Sequence, residues 1–193
     1  LREALADCLE ESDRVVTMLN TLMDISEAET GTMRLLVEPV NVAELVRNTI
    51  DLYEDVAEEK GVALHAEPLE EAVVELDSNR MRQVLANLVD NAVKYTPRGG
   101  RVDLAVKRTS TGAAIEVRDT GRGITPDDLP RIWDRLYRGD KSRAERGLGL
   151  GLSLVKALVT AQDGSVEVVT TPGRGSTFTI RLPAAENRNL THL

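Results

Sequence analysis

Two pairs of short alternating segments constrain this fold more than any other feature. "RVDLAVKR" (101–108) and "AAIEVRD" (113–119) flank "TSTG", and "SVEVVT" (165–170) and "STFTIRLP" (176–183) flank "TPGRG". Apolar and β-branched residues at period two, joined by a few Gly, Ser, Thr or Pro residues, predict two antiparallel hairpins. A lone hairpin is marginal in water, so something must cover one face of each.

The covering elements lie between the hairpins. After a short strand near 36–40, "NVAE" offers Asn41 as a cap with Glu44 three positions on, a capping-box arrangement; the helix it opens runs to Lys60 and stops at Gly61. "VALHA" (62–66) and "AVVEL" (72–76) predict strands, and Asp77 caps a helix over 78–95 that Pro97 and Gly99-Gly100 end. A Gly-rich turn after 119, a short helix near 126–137, a basic loop and a second Gly-rich run lead into a helix at 151–162. The expected architecture is α/β, a two-layer sandwich of a mixed sheet covered by helices. It is not doubly wound: no "GxxxxGK[ST]" is present and no "GxGxxG" follows the first strand.

Residues 1–29 predict one further helix. Leu5, Cys8, Ser12, Val15, Leu19, Leu22 and Ser26 recur at spacings of three and four, with Leu9, Val16 and Met23 beside that seam. So wide an apolar stripe needs partner helices. "ETGTM" (29–33) breaks the pattern. The expected units are helix 1–30, linker 31–38, main domain 39–185 and a frayed tail 186–193.

Composition narrows the functions. With 193 residues the chain can bury one good core. No apolar run approaches the roughly 20 residues of a membrane span, and nothing at the start reads as a signal peptide. Starting at Leu1 rather than Met, it is expected to be a fragment. The single cysteine, Cys8, fits a reducing compartment. A net charge of -8 argues against nucleic-acid binding. Against that background residues 131–146 are positive (Arg131, Arg135, Arg138, Lys141, Arg143 and Arg146 against Asp134, Asp140 and Glu145), which suits either a small anionic ligand or a solvated loop.

Three stretches carry candidate chemistry. "NLVDNAVKYTP" (87–97) puts Asn87 and Asn91 on one helical face, with Lys94 and Tyr95 within a turn. An asparagine carbonyl suits Mg²⁺, a lysine supplies a point charge for phosphate, and a tyrosine offers a flat face for a base; the same residues also fit ordinary helix-end polarity. "DTGRGI" (119–124) follows a strand. There Asp119 can accept from an exocyclic amine and Gly121 and Gly123 permit close approach, although Asp-x-Gly is also an ordinary turn. "GLGLGL" (147–152) runs into a helix whose N-terminus favours an anion. A flexible linker would not place leucines between its glycines.

In order and rough spacing, "NLVDNAVKYT", "DTGRGI", "IWDRLYR" and "GLGLGLSLVK" resemble the N, G1, F and G2 boxes of sensor histidine kinases of two-component systems. That family has the Bergerat ATP-binding fold, and the resemblance covers about residues 36–183. Residues 1–30, with "LMDISEAETG", look like the second helix of its dimerisation hairpin. The resemblance implies that Asn91 ligates Mg²⁺, Asn87 lies close to the triphosphate, Lys94 contacts phosphate and Tyr95 stacks on or near adenine. It implies that Asp119 reads the adenine amine, with Gly121, Gly123 and Ile124 around it, and that Ser176 reaches adenine through water. Gly147, Leu148, Gly149 and Gly151 would shape a lid over the phosphates, and Arg138 would reach the γ-phosphate.

The implied activity is transfer of the ATP γ-phosphate to a histidine and then to a response-regulator aspartate, in a homodimer joined through helix 1–30. The implied location is cytoplasmic, with an inner-membrane sensor as the possible parent. Two departures stand out. Trp133 and Leu136 occupy places where the F box carries phenylalanines, so the lid should dock with altered packing. The phosphoacceptor is absent: the only histidines are His65, in a predicted strand, and His192, in the tail. ATPases of the fold use a glutamate where this chain has Asn87, and an amide cannot take a proton from water. That favours a kinase over the alternatives, a Bergerat-fold ATPase or a non-catalytic ATP-binding module.

Overall fold

The computed structural model of the chain describes residues 2–139 and 148–184, with side chains left out for 2–7 and 10. Helix α1 (Arg2–Glu29) comes first, followed by β1 (Glu38–Asn41), α2 (Val42–Lys60), β2 (Ala63–Leu69), β3 (Val73–Leu76) and α3 (Ser78–Tyr95). The hairpin of β4 (Arg101–Thr109) and β5 (Gly112–Asp119) comes next, then α4 (Gly151–Ala161) and the hairpin of β6 (Ser165–Thr171) and β7 (Gly175–Pro183).

Five strands form one sheet in the order β2-β4-β5-β7-β6, with β2 parallel to β4 and every other pair antiparallel. β1 and β3 pair separately as a two-stranded ribbon, Glu38 opposite Leu76. The expected mixed sheet under helices is therefore present. Alternation decides the faces: Val102, Leu104 and Val106 of β4, Ile115 and Val117 of β5, and Phe178, Ile180 and Leu182 of β7 are buried under the helices. The opposite face carries charge. Arg101 pairs with the nearly buried Asp103 at 3.1 Å, Lys107 with Glu116 at 2.8 Å and Arg181 with Glu167 at 2.6 Å.

The helix layer follows from spacing. α3 buries Met81, Val84, Leu85, Leu88, Val89, Ala92 and Val93, a full 3.6-residue stripe. α4 adds Leu154, Val155, Leu158 and Val159, and α2 adds Val42, Leu45, Val46 and Ala57. Caps set the ends: the Asn41 side chain accepts from Ala43 N, and Gly61, at φ 70°, ends α2 in the left-handed region. Asp77 holds the start of α3 and more. Its Oδ1 accepts the amides of Asn79 and Arg80 at 3.0 Å, and its Oδ2 accepts Leu36 N at 2.9 Å. Its own amide donates at 2.8 Å to Oε1 of Gln162, a buried side chain at the end of α4.

Three expectations need correction. The helix near 126–137 is only one 3-10 turn, Leu129–Arg131. Pro130 removes a donor there, and Leu136 adopts φ 60°, which no right-handed helix tolerates. β2 continues past the expected 66 to Leu69 through Pro68, which an edge strand accepts, with a register shift between Ala66 and Leu69. Among the described side chains of α1 the buried ones are Ile25 and Ala28, with Met18 and Leu22 packed beside them, while Val15, Leu19 and Met23 of the expected seam and its flank are exposed. Asp24 pairs with Arg80 at 3.0 Å, and Glu29 contacts Arg135.

Candidate functional site

A cavity of about 550 Å³ opens between the end of α3, the turn after β5 and the start of α4. The last two turns of α3 present Asn87, Asn91 and Lys94 to it from one face. Asn87 Nδ2 donates to Gln83 O at 2.8 Å, and its Oδ1 faces Gly151, where an added Cβ would come within 2.8 Å. Among the described residues the Asn91 carboxamide has no hydrogen-bond partner, and it lines the cavity. Below them the helix end is pinned: Thr96 Oγ1 donates to Ala92 O at 2.7 Å, and Lys60 Nζ donates to Val93 O at 2.6 Å and to Lys94 O.

Tyr95 forms the next part of the wall. The Arg122 guanidinium lies 4.3 Å and the Lys94 ammonium 5.3 Å from its ring centroid, two cation–π contacts on one ring. Asp119, buried at the end of β5, accepts Gly121 N at Oδ1 over 2.8 Å. Burial pushes its carboxyl above the ordinary aspartate range, against the pull of the Gly121 and Ser176 amides. Ser176 sits opposite Asp119 in the β5–β7 register, its Oγ 2.9 Å from Thr170 Oγ1.

At the start of α4 no side-chain hydrogen bond caps the helix among the described residues, and Gly151 lies against the Asn87 carboxamide. Leu148, Gly149 and Gly151 line the cavity there. Gly149 adopts φ 71° and lies so close to Tyr137 O that a Cβ would come within 2.7 Å. Arg138 lines the cavity too, its Cγ beside Gly149.

The structure thus brings together Asn87, Asn91, Lys94, Tyr95, Asp119, Gly123, Ile124, Arg138, Leu148, Gly149, Gly151 and Ser176 around one space. Gly121 is not among the lining residues. Its missing side chain lets the turn pass the end of α3, because a Cβ would stand 2.5 Å from Tyr95 O. Gly147 lies outside the described residues. Trp133 packs edge-on against Phe178, centroids 6.2 Å apart at 88°, whereas Leu136 is 52% exposed, so only half of the F-box pair packs inward.

Sequence reasoning missed Asp90, Arg122, Thr125, Asp128, Tyr137 and Phe178, all of which line the cavity. "TPDD" at 125–128 carries a Thr-x-x-Asp signal for a turn, and Tyr137 adjoins the predicted Arg138; neither pattern by itself announces a site.

Comparison with known proteins agrees with this geometry. Residues 76–186 match the family described as histidine kinase-, DNA gyrase B- and HSP90-like ATPases. The chain is 31% identical over 188 residues to the sensor protein SrrB of Staphylococcus aureus, covering 96% of this chain and 32% of that protein. It therefore spans about a third of the length of the curated relatives it matches. Among solved structures, full-length ShkA in complex with AMPPNP superposes with a TM-score of 0.81 at 30% identity, over 95% of this chain and 39% of that one. The mycobacterial sensor histidine kinase MprB superposes with a TM-score of 0.69 at 27% identity, over 77% of this chain and 99% of that one. The chain belongs to the family of histidine kinase-, DNA gyrase B- and HSP90-like ATPases, as an ATP-binding domain of the sensor histidine kinase type.

Proposed function

We propose that this domain binds Mg·ATP in the cavity and passes the γ-phosphate to a histidine on a dimerisation helix outside this chain, for onward transfer to a response-regulator aspartate. One juxtaposition carries the reading: two asparagines and a lysine on α3 line the same cavity as the N-terminus of α4 and a buried acid, Asp119. The AMPPNP complex of ShkA supports it by likeness.

The residues suit the ligand. The Asn91 carboxamide, without a hydrogen-bond partner among the described residues, is a neutral oxygen ligand of the kind Mg²⁺ accepts alongside phosphates and waters. Bound there, Mg²⁺ would supply positive charge where negative charge gathers on the transferring phosphate. Lys94 and Arg138 add positive charge, and the α4 N-terminus adds the helix dipole. Asp119, when ionised, accepts the exocyclic amine of adenine, Tyr95 stacks by the base, and Ile124 and Leu148 give the cavity apolar wall.

Hydrolysis is the poorer use of this site. Asn87 is an amide already tied to Gln83 O, and an imidazole acceptor needs less help from a base than water does. Neither histidine of the chain stands in the first-helix context that the family's acceptor requires: His65 is exposed on β2 and absent from the cavity wall, and His192 follows the domain in sequence and lies outside the described residues.

The test follows the γ-phosphate. This chain, labelled Mg·ATP and a longer form of the same protein carrying the preceding helix but disabled by Asn91→Asp are mixed. Acid-labile, base-stable label on the longer chain is the expected result. Free labelled phosphate without protein label would overturn the kinase assignment in favour of an ATPase.

A further inference from the structure

Asp128 occupies the position before a 3-10 turn where an aspartate ordinarily caps, yet it caps nothing there. Its carboxylate turns toward the cavity, which it helps to line. Oδ2 accepts Thr125 Oγ1 at 2.8 Å, and that hydroxyl in turn accepts Asp128 N at 3.2 Å, a local closure of the "TPDD" turn. Oδ1 does something the turn does not need. It accepts the Tyr137 hydroxyl at 2.6 Å, a short bond to an ionised acceptor nine residues away.

The intervening chain is shaped for that bond. Leu136 takes φ 60°, a left-handed conformation costly for a branched apolar residue, and its side chain is left exposed. The Arg131 guanidinium covers the Tyr137 ring at 4.2 Å. The Tyr137 and Thr125 hydroxyls, and behind them Arg122 and Arg131, keep the Asp128 carboxyl below its ordinary range, so at neutral pH it is a permanent acceptor. The residue after Tyr137 is Arg138, which lines the same cavity and packs against Gly149.

We propose that Asp128 is a positioning residue for Arg138: by holding the Tyr137 hydroxyl it fixes the backbone from which the Arg138 guanidinium meets the terminal phosphate of ATP. This rests on the nucleotide reading above. Asp128 itself, being an anion, does not contact phosphate. Its effect appears only where Arg138 acts, at the third phosphate.

That restriction makes the test. Dissociation constants for ADP and for a non-hydrolysable ATP analogue, both with Mg²⁺, are measured on the chain and on Asp128→Ala, Tyr137→Phe and Arg138→Ala. The wild type is expected to prefer the triphosphate. Each variant is expected to lose about tenfold of that preference, the scale of a misaligned charge-assisted contact, with ADP affinity unchanged. Tyr137→Phe removes only the hydroxyl and decides the matter if Asp128→Ala does not fold. Asp128→Asn, which keeps an acceptor oxygen, should restore part of the preference. Adding Asp128→Ala or Tyr137→Phe to Arg138→Ala should cost nothing further. If the wild type binds neither nucleotide, the functional reading itself fails. If it binds both equally, or the variants keep its preference or weaken both nucleotides alike, Asp128 only supports the turn and this proposal fails.

Discussion

Two aspartates border the same cavity and are pushed in opposite directions. Asp119 is held above the ordinary range by burial, Asp128 below it by hydrogen bonds from Tyr137 and Thr125. Because the folded Asp119 carboxyl is raised, the folded domain takes up its proton before the unfolded chain does as pH falls; the cost of burying the charge is present at neutral pH and relieved by acid. The stability that Asp128 contributes is present above the unfolded value near 3.9 and is lost as pH falls through its lower folded value. A carboxyl NMR titration of the nucleotide-free chain should place the Asp119 inflection above 3.9. Saturating ADP should move it down, since the adenine amine donates more strongly to the ionised carboxylate than to the neutral acid; an unmoved inflection would remove Asp119 from base recognition. Asp119 was legible because a strand and two glycines frame it. Asp128 was not, because its partner returns through a left-handed Leu136 that no propensity announces.

At the scale of elements, local signals announced the bounds of α2, α3 and α4 almost to the residue, because Asn41 and Asp77 cap a helix and Gly61 ends one by chemistry confined to a single turn. Apolar spacing misled in α1, whose sequence carries more than one apolar track. The track through Met18, Leu22, Ile25 and Ala28 lies against the rest of the molecule, and that through Val15, Leu19 and Met23 faces outward. Sequence alone could not rank them, since Ile25 falls off the track that starts at Leu5. Ile25→Ala should cost about 2–5 kcal/mol in denaturant unfolding. Leu19→Ala should stay within about 0.5 kcal/mol for the dilute chain. Equal losses would mean that the outward track is also covered in solution.

At the scale of the whole molecule, both hairpins could be read locally, but the adjacency of β5 and β7 and the separate β1–β3 ribbon could not. Pairings between segments so far apart leave no trace in either segment's own pattern. The outward side of α1 is the one large apolar surface that this arrangement leaves open among the described helices: Leu9, Val15, Val16, Leu19 and Met23 are each more than half exposed. Sedimentation should therefore find self-association that grows with concentration and that Leu19→Glu reverses. A strict monomer at high concentration would count against a dimer formed through this helix.

The contact of Leu36 with Asp77 has a consequence for hydrogen exchange. Leu36 lies in an irregular segment and its side chain is among the most exposed of the chain, so its amide would ordinarily trade its proton for deuterium quickly. That amide is bonded to the carboxylate that also holds the first amides of α3. It is expected to exchange more slowly than its chain neighbours, and to slow toward the pace of Asn79 and Arg80 where opening of Asp77 is the step that frees it. A single slow amide in an otherwise fast segment would thus report, from outside the domain's regular structure, opening at the start of the helix that carries Asn87 and Asn91.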